Sequence, residues 1–141
     1  MIQPPLIAGG TLLGEVDAKG KHLIIVCSSP VFYDENTPGY DAVLTVSVTS
    51  WRDNQRFNDD SCIFMPGDHS FIRHKSFAYY LRAVPWRVDP LLHKIENNEI
   101  KVLERLSKEK LRQVLDGFEK SPFTQPKTLR FYKRYVKTRC N

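Results

Sequence analysis

Residues 43–52 read VLTVSVTSWR, and no other stretch narrows the fold as much. Leu44, Val46 and Val48 alternate with Thr45, Ser47 and Thr49, a period of two that gives a strand one apolar face and one hydroxyl face. Such a strand belongs to an antiparallel sheet with a core against one side. Where the alternation ends, Thr49, Ser50, Trp51 and Arg52 set hydroxyls, an indole and a guanidinium at a strand-to-loop boundary. That boundary suits chemistry or the gripping of a charged ligand.

Upstream, Leu23–Cys27 (LIIVC) is a continuous, β-branched apolar run, as expected of a core strand buried on both faces. Thr11–Val16 reads as a first strand, joined to it through turn-forming residues at Asp17–Gly20. Residues 28–41, rich in proline, glycine and acids, read as a long exposed loop, and residues 53–60 as a second polar loop. Ser61–Met65 and Ser76–Val84 are further strands, and Trp86–Ile95 an irregular link. One late helix is well signalled: Ser107 can cap it, Leu106 can staple onto Leu111, and Leu111, Val114, Leu115 and Phe118 form an apolar stripe. Ser121 and Pro122 end it. These pieces predict a mainly β fold, a small barrel or curled sheet covered by that helix.

With 141 residues, 41% of them hydrophobic, the chain suits one domain. Its expected divisions are a loose lead-in over residues 1–10, a barrel domain with closing helix over 11–121, and a basic extension over 122–141. No apolar run approaches the roughly 18 residues of a membrane helix, and the first residues do not resemble a signal peptide. A soluble, cytoplasmic protein is expected, with no membrane partner. Cys27, Cys62 and Cys140 are an odd number without C-x-x-C spacing and are read as reduced. The net charge of +5 is concentrated at the C-terminal end, where residues 121–141 carry six basic side chains and no acidic one. That bias is expected of a polyanion contact or of a solubilising end.

The order of KHLIIVCSSP, VLTVSVTS, SFAYYLRAVPWR and LSKEKLRQVLDGFEKSP, with PGDHSFIRHKSFAYY between, resembles the PemK/MazF toxins of type II toxin-antitoxin systems, in a divergent branch. The likeness covers roughly residues 14–121. It implies an SH3-like β-barrel, usually a homodimer, that cleaves single-stranded RNA without a metal or other cofactor and is held in check by an antitoxin protein. It also implies an arginine before the LIIV-like strand and a threonine or serine at the end of the VTS-like strand as the cleaving pair. The second position falls on Thr49, with Ser50 adjacent; the first holds Lys21 or His22.

Metal-free RNA cleavage needs a proton acceptor for the 2′-hydroxyl, a donor toward the crowded phosphate and an acid for the leaving oxygen. Histidine suits proton transfer near neutral pH. The catalytic candidates are therefore His22 as acid or base, Lys21 as phosphate neutraliser, and Thr49 or Ser50 as hydrogen-bond donor. The plainer alternative for His22 is a strand-edge ring held by a carbonyl. Trp51 and Arg52 are candidates for stacking on bases, and Arg73, His74 and Lys75 for an RNA-facing loop. Asp68, His69 and His74 follow no familiar zinc spacing, so no metal is expected. In the tail, Leu129, Tyr132 and Val136 share a helical face that can dock on the body with the charges outward. The reading from another class is a non-catalytic SH3-like module that holds nucleic acid or a partner protein.

Overall fold

Long β-branched runs broken by turn residues leave the chain little choice but a sheet, and β4 is its centre. In this computed structural model, which describes residues 6–17 and 20–137, the strands are β1 Thr11–Asp17, β2 Gly20–Val26, β3 Val31–Tyr33, β4 Tyr40–Ser50, β5 Ile63–Phe64, β6 Ser76–Ala78, β7 Val84–Arg87 and β8 Lys101–Leu103. The helices are α1 Val88–Glu96, α2 Lys108–Lys120 and α3 Pro126–Phe131, with a 3-10 turn at Tyr80–Arg82 and a π turn at Tyr132–Val136. All strand pairs are antiparallel, along the path β5-β6-β4-β2-β1-β8, with β3 and β7 also on β4. One edge of β4 pairs with β2 (Leu23 opposite Val48, Val26 opposite Thr45) and then β3; the other pairs with β6 and then β7. No helix among the described residues is long and apolar enough to cross a membrane.

Both faces of this sheet carry a core, which is why LIIV is buried without alternation. Leu23, Ile25, Leu44, Val46 and Val48 lie on the face covered by α2, α3 and the π turn. Ile24, Val26 and Val43 lie on the other, with Leu12, Ile100 and the α1 residues Val88 and Leu91.

The fold is mainly β with helices beside the sheet, as expected, but the strand path stays open rather than closing into a barrel. The two end strands, of 2 and 3 residues, are too short to form a closing ladder. Side chains span part of the gap instead. His69, just after β5, sets Nε2 at 3.0 Å from both Thr11 Oγ1 and the Glu104 carbonyl, while its Nδ1 accepts the Phe71 N–H at 3.0 Å. A backbone N–H can only donate, so the ring's proton sits on Nε2.

Helix α2 forms where its stripe and cap lie. The Ser107 hydroxyl accepts the Lys110 N–H at 3.1 Å, a cap worth about 1 kcal/mol. Val114 and Phe118 are fully buried. Opposite them Tyr80 enters the core and donates its hydroxyl to the Val114 carbonyl at 2.6 Å, its ring edge-on to Phe118 at 5.0 Å. Burial holds the Tyr80 hydroxyl well above the ordinary tyrosine range. Gly117 makes the approach possible, because a Cβ there would stand 1.9 Å from the Tyr80 hydroxyl.

Three segments differ from their sequence reading. Residues 86–95 hold the end of β7 and most of α1 rather than an irregular link. Val88, Leu91, Leu92 and Ile95 have helical spacing, and Pro90 falls in the first turn, where no backbone donor is lost to the helix. The Ser76–Val84 strand breaks at Ala78, because the 3-10 turn carries Tyr80 into the core before β7 resumes pairing. The long loop contains β3, whose Val31 and Tyr33 are buried. The C-terminal extension docks on the body through the face that carries Leu129, Tyr132 and Val136, and Phe131 and Tyr135 are buried in the main core with it, Phe131 edge-on to Tyr33 at 4.9 Å. Cys27 and Cys62 are buried thiols, and Cys140 lies outside the described residues.

Candidate functional site

The hydroxyl face of β4 is the floor of a cleft of about 590 Å³. Alternation sends Thr45, Ser47 and Thr49 to this face, and the β2–β4 register brings His22 and Ile24 beside them. His22 Nδ1 lies 3.4 Å from the Val48 carbonyl, which sets the ring against β4. Thr45 donates its hydroxyl to the Val84 carbonyl at 3.1 Å and fixes β7 as one wall.

Aromatic side chains form the other walls. Phe77 stands opposite Thr49 in the β4–β6 register, and Tyr79 follows it two residues on. Phe57 comes from the loop after β4 and packs on Tyr79 at 5.4 Å and on Phe123 at 4.6 Å. Hydrogen bonds hold that loop in place. Asn58 bonds both the N–H and the carbonyl of Arg52, and Gln55 donates to the Ser50 carbonyl at 3.2 Å. Beyond it the buried Asp59 accepts the Ser121 hydroxyl at 2.6 Å and the Ser61 N–H at 2.9 Å. The loop therefore delivers Arg56 to the cleft on a tethered backbone, and the 3-10 turn delivers Arg82.

The chemical character follows from this lining. Two guanidinium groups, one imidazole and several hydroxyls face a half-apolar cavity, and among the described residues no carboxylate lines it. Guanidinium groups recognise phosphate oxygens through paired N–H donors, and aromatic walls offer faces or edges to bases. The lining provides no oxygen cage for a hard cation. Among the described residues no three histidine, cysteine or acidic side chains are grouped to hold a metal ion.

Of the residues singled out from sequence, His22 and Thr49 meet in this cleft. Lys21 is exposed and, by alternation with His22, projects from the other face of β2. Ser50 likewise leaves the Thr49 face and pairs with His74, Oγ to Nε2 at 2.7 Å. Trp51 and Lys75 meet at the rim. The Lys75 ammonium lies 4.0 Å over the indole, whose edge approaches Phe77 at 5.9 Å and whose N–H bonds Asp53 at 3.1 Å. Arg52 and Arg73 are exposed outside the lining. Sequence reasoning missed Arg56, Arg82, Phe57, Tyr79 and Trp86. A faint signal was present for some: Phe77 and Tyr79, then Arg82, Val84 and Trp86, alternate with one phase slip at the 3-10 turn. Arg56 carried none, since its loop has no period. No protein-family model matches the chain, and no curated protein or solved structure does either.

Proposed function

We propose that the cleft binds single-stranded RNA and cleaves it without a metal, in the manner of the PemK/MazF toxins. The observation that carries this reading is the convergence of His22, Thr49, Arg56 and Arg82 on one hydroxyl-floored, aromatic-walled cleft. In the reaction, His22 accepts the 2′-hydroxyl proton, and the 2′-oxygen forms a bond to phosphorus as the bond to the 5′-oxygen breaks. Arg56 and Arg82 neutralise the phosphate, and the Thr49 hydroxyl donates to a non-bridging oxygen. Water at the open mouth protonates the leaving oxygen. The products are a 2′,3′-cyclic phosphate and a 5′-hydroxyl. In this proposal Arg56 and Arg82 take the task of the family arginine, which Lys21 cannot perform from the far face of β2. The curled sheet stands as an open variant of the SH3-like barrel, and a homodimer, an antitoxin peptide over the cleft and a cytoplasmic setting complete it.

A second reading, RNA binding without cleavage, is favoured by one observation: among the described residues the lining supplies a single imidazole and no carboxylate, so these do not provide both acid and base. Incubation of the protein with mixed-sequence single-stranded RNA in excess EDTA separates the two. Cyclic-phosphate products that disappear in His22→Ala and Arg82→Ala support cleavage. A retarded band with intact RNA establishes the binding module. RNA that is neither cut nor bound refutes both.

A further inference from the structure

The basic C-terminal segment lies outside the cleft and has its own geometry. Its apolar side is locked into the core through Phe131, Tyr132, Tyr135 and Val136, so its charged side is presented on a fixed backbone. Arg134 is committed to Glu35 at 3.1 Å and Asp34 at 3.5 Å, and Lys137 to Glu119 at 2.8 Å. Tyr135 also bonds Asp34 and fastens the β3–β4 hairpin to the π turn. That leaves Lys127, Arg130 and Lys133, all exposed, with no carboxylate at ion-pair distance among the described residues. They recur every third residue, so they form one ridge on the outer side of α3 and the π turn. Arg130 and Lys133 also border a shallow groove with Leu129, Pro126, Arg134 and the carboxylate of Glu35, which Arg134 already pairs.

This ridge is next to the cleft. The Thr128 hydroxyl donates to the Ala83 carbonyl at 2.8 Å, and the neighbours of Ala83, Arg82 and Val84, line the cleft. Among the described residues β7 pairs only with β4, and α3 packs beside it on the sheet face opposite the cleft floor. Val84 on that strand is 39% exposed and lines the cleft.

We propose that Lys127, Arg130 and Lys133 form an exosite for the phosphate backbone of the RNA strand held in the cleft, reached past β7; this rests on the cleft reading above. Charge complementarity selects the occupant. Three exposed cations on a rigid helical face, outnumbering the carboxylates Glu35 and Glu119 beside them, suit a chain of phosphates.

The test is anisotropy of labelled 2′-O-methyl RNA, which cannot form a cyclic phosphate, in a short oligomer and one about four times longer. The proteins are the full chain, its Lys127→Gln/Arg130→Gln/Lys133→Gln variant and its Arg56→Gln/Arg82→Gln variant. Single-strand contacts contribute roughly 0.7 each to the salt slope, so losing three lowers it by about 2 for the long RNA. The native protein's advantage over the ridge variant then shrinks roughly 20-fold between about 50 and 200 mM salt. The short RNA changes less than about twofold on the ridge variant, and it is the one that loses affinity on the cleft variant. Equal slopes for native protein and ridge variant overturn the exosite, as does failure of the native protein to bind either RNA. A ridge effect together with short-RNA binding indifferent to Arg56 and Arg82 keeps the ridge as a polynucleotide site and sinks the cleft reading instead.

Discussion

Gly117→Ala tests the packing of α2 on the sheet. The new methyl carbon would stand 1.9 Å from the Tyr80 hydroxyl oxygen, 2.4 Å from Cζ and 2.8 Å from Cε2. Tyr80 is fully buried, with its hydroxyl on Val114 at 2.6 Å and its ring on Phe118, so it has no room to retreat. Overpacking of this kind costs about 1–3 kcal/mol, and breaking the buried hydroxyl bond adds about 1 kcal/mol. Against this, alanine is better than glycine inside a helix by about 1 kcal/mol. The net expectation is a loss of about 1–3 kcal/mol, measured by urea unfolding followed by tryptophan fluorescence. It corresponds to a fall in melting temperature of roughly 3–10 °C. The same substitution in a Tyr80→Ala background removes the clash and keeps only the propensity gain, so there it stabilises by about 0.5–1 kcal/mol. The coupling between the two sites is then about 1.5–4 kcal/mol. A neutral or stabilising Gly117→Ala in the native background would refute this account of how α2 is seated.

Other outcomes follow from single groups. The pKa of Tyr80 is raised in the folded state, chiefly by burial, so the stability it contributes is complete below the unfolded tyrosine value near 10 and is lost as pH rises from there through the folded value. Urea melts between about pH 9 and 11 should show native stability falling more steeply than that of Tyr80→Phe, by up to about 1.4 kcal/mol per pH unit; parallel curves would contradict it. His69→Ala leaves the Phe71 N–H without its acceptor and removes a bridge across the open side of the sheet, for a loss of about 2–3 kcal/mol. Nitrogen NMR of the native protein should find the proton of the His69 ring on Nε2, and an Nδ1–H ring would overturn that hydrogen-bond assignment.

Much of the scaffold was legible before folding was considered. The alternation of Leu44–Thr49 announced both a strand and its two faces, LIIVC announced burial on both sides, and Ser107 with the following stripe announced α2 and its cap. Each of these signals is local, carried by residues a few positions apart. The reading failed where a local signal was masked, as by Pro90 in α1, or where a long-range contact reset the chain, as Tyr80 does between β6 and β7. The tail divides the same way. Its docking face at Leu129, Tyr132 and Val136 was legible as a helical period, while Phe131 and Tyr135 act through Tyr33 on a distant hairpin that no local pattern announces.

By itself the sequence determined that Thr45, Ser47 and Thr49 share one face and that His22 begins the neighbouring apolar run, because side-chain direction along a strand is set by backbone geometry alone. Only the tertiary structure decided that this face is a cleft, that Lys21 and Ser50 leave it, and that Arg56 and Arg82 complete it. Those outcomes depend on strand register, on a loop tethered by Asn58 and Asp59, and on a turn bent by a buried tyrosine. None of these has a period that a chain can display before it is folded.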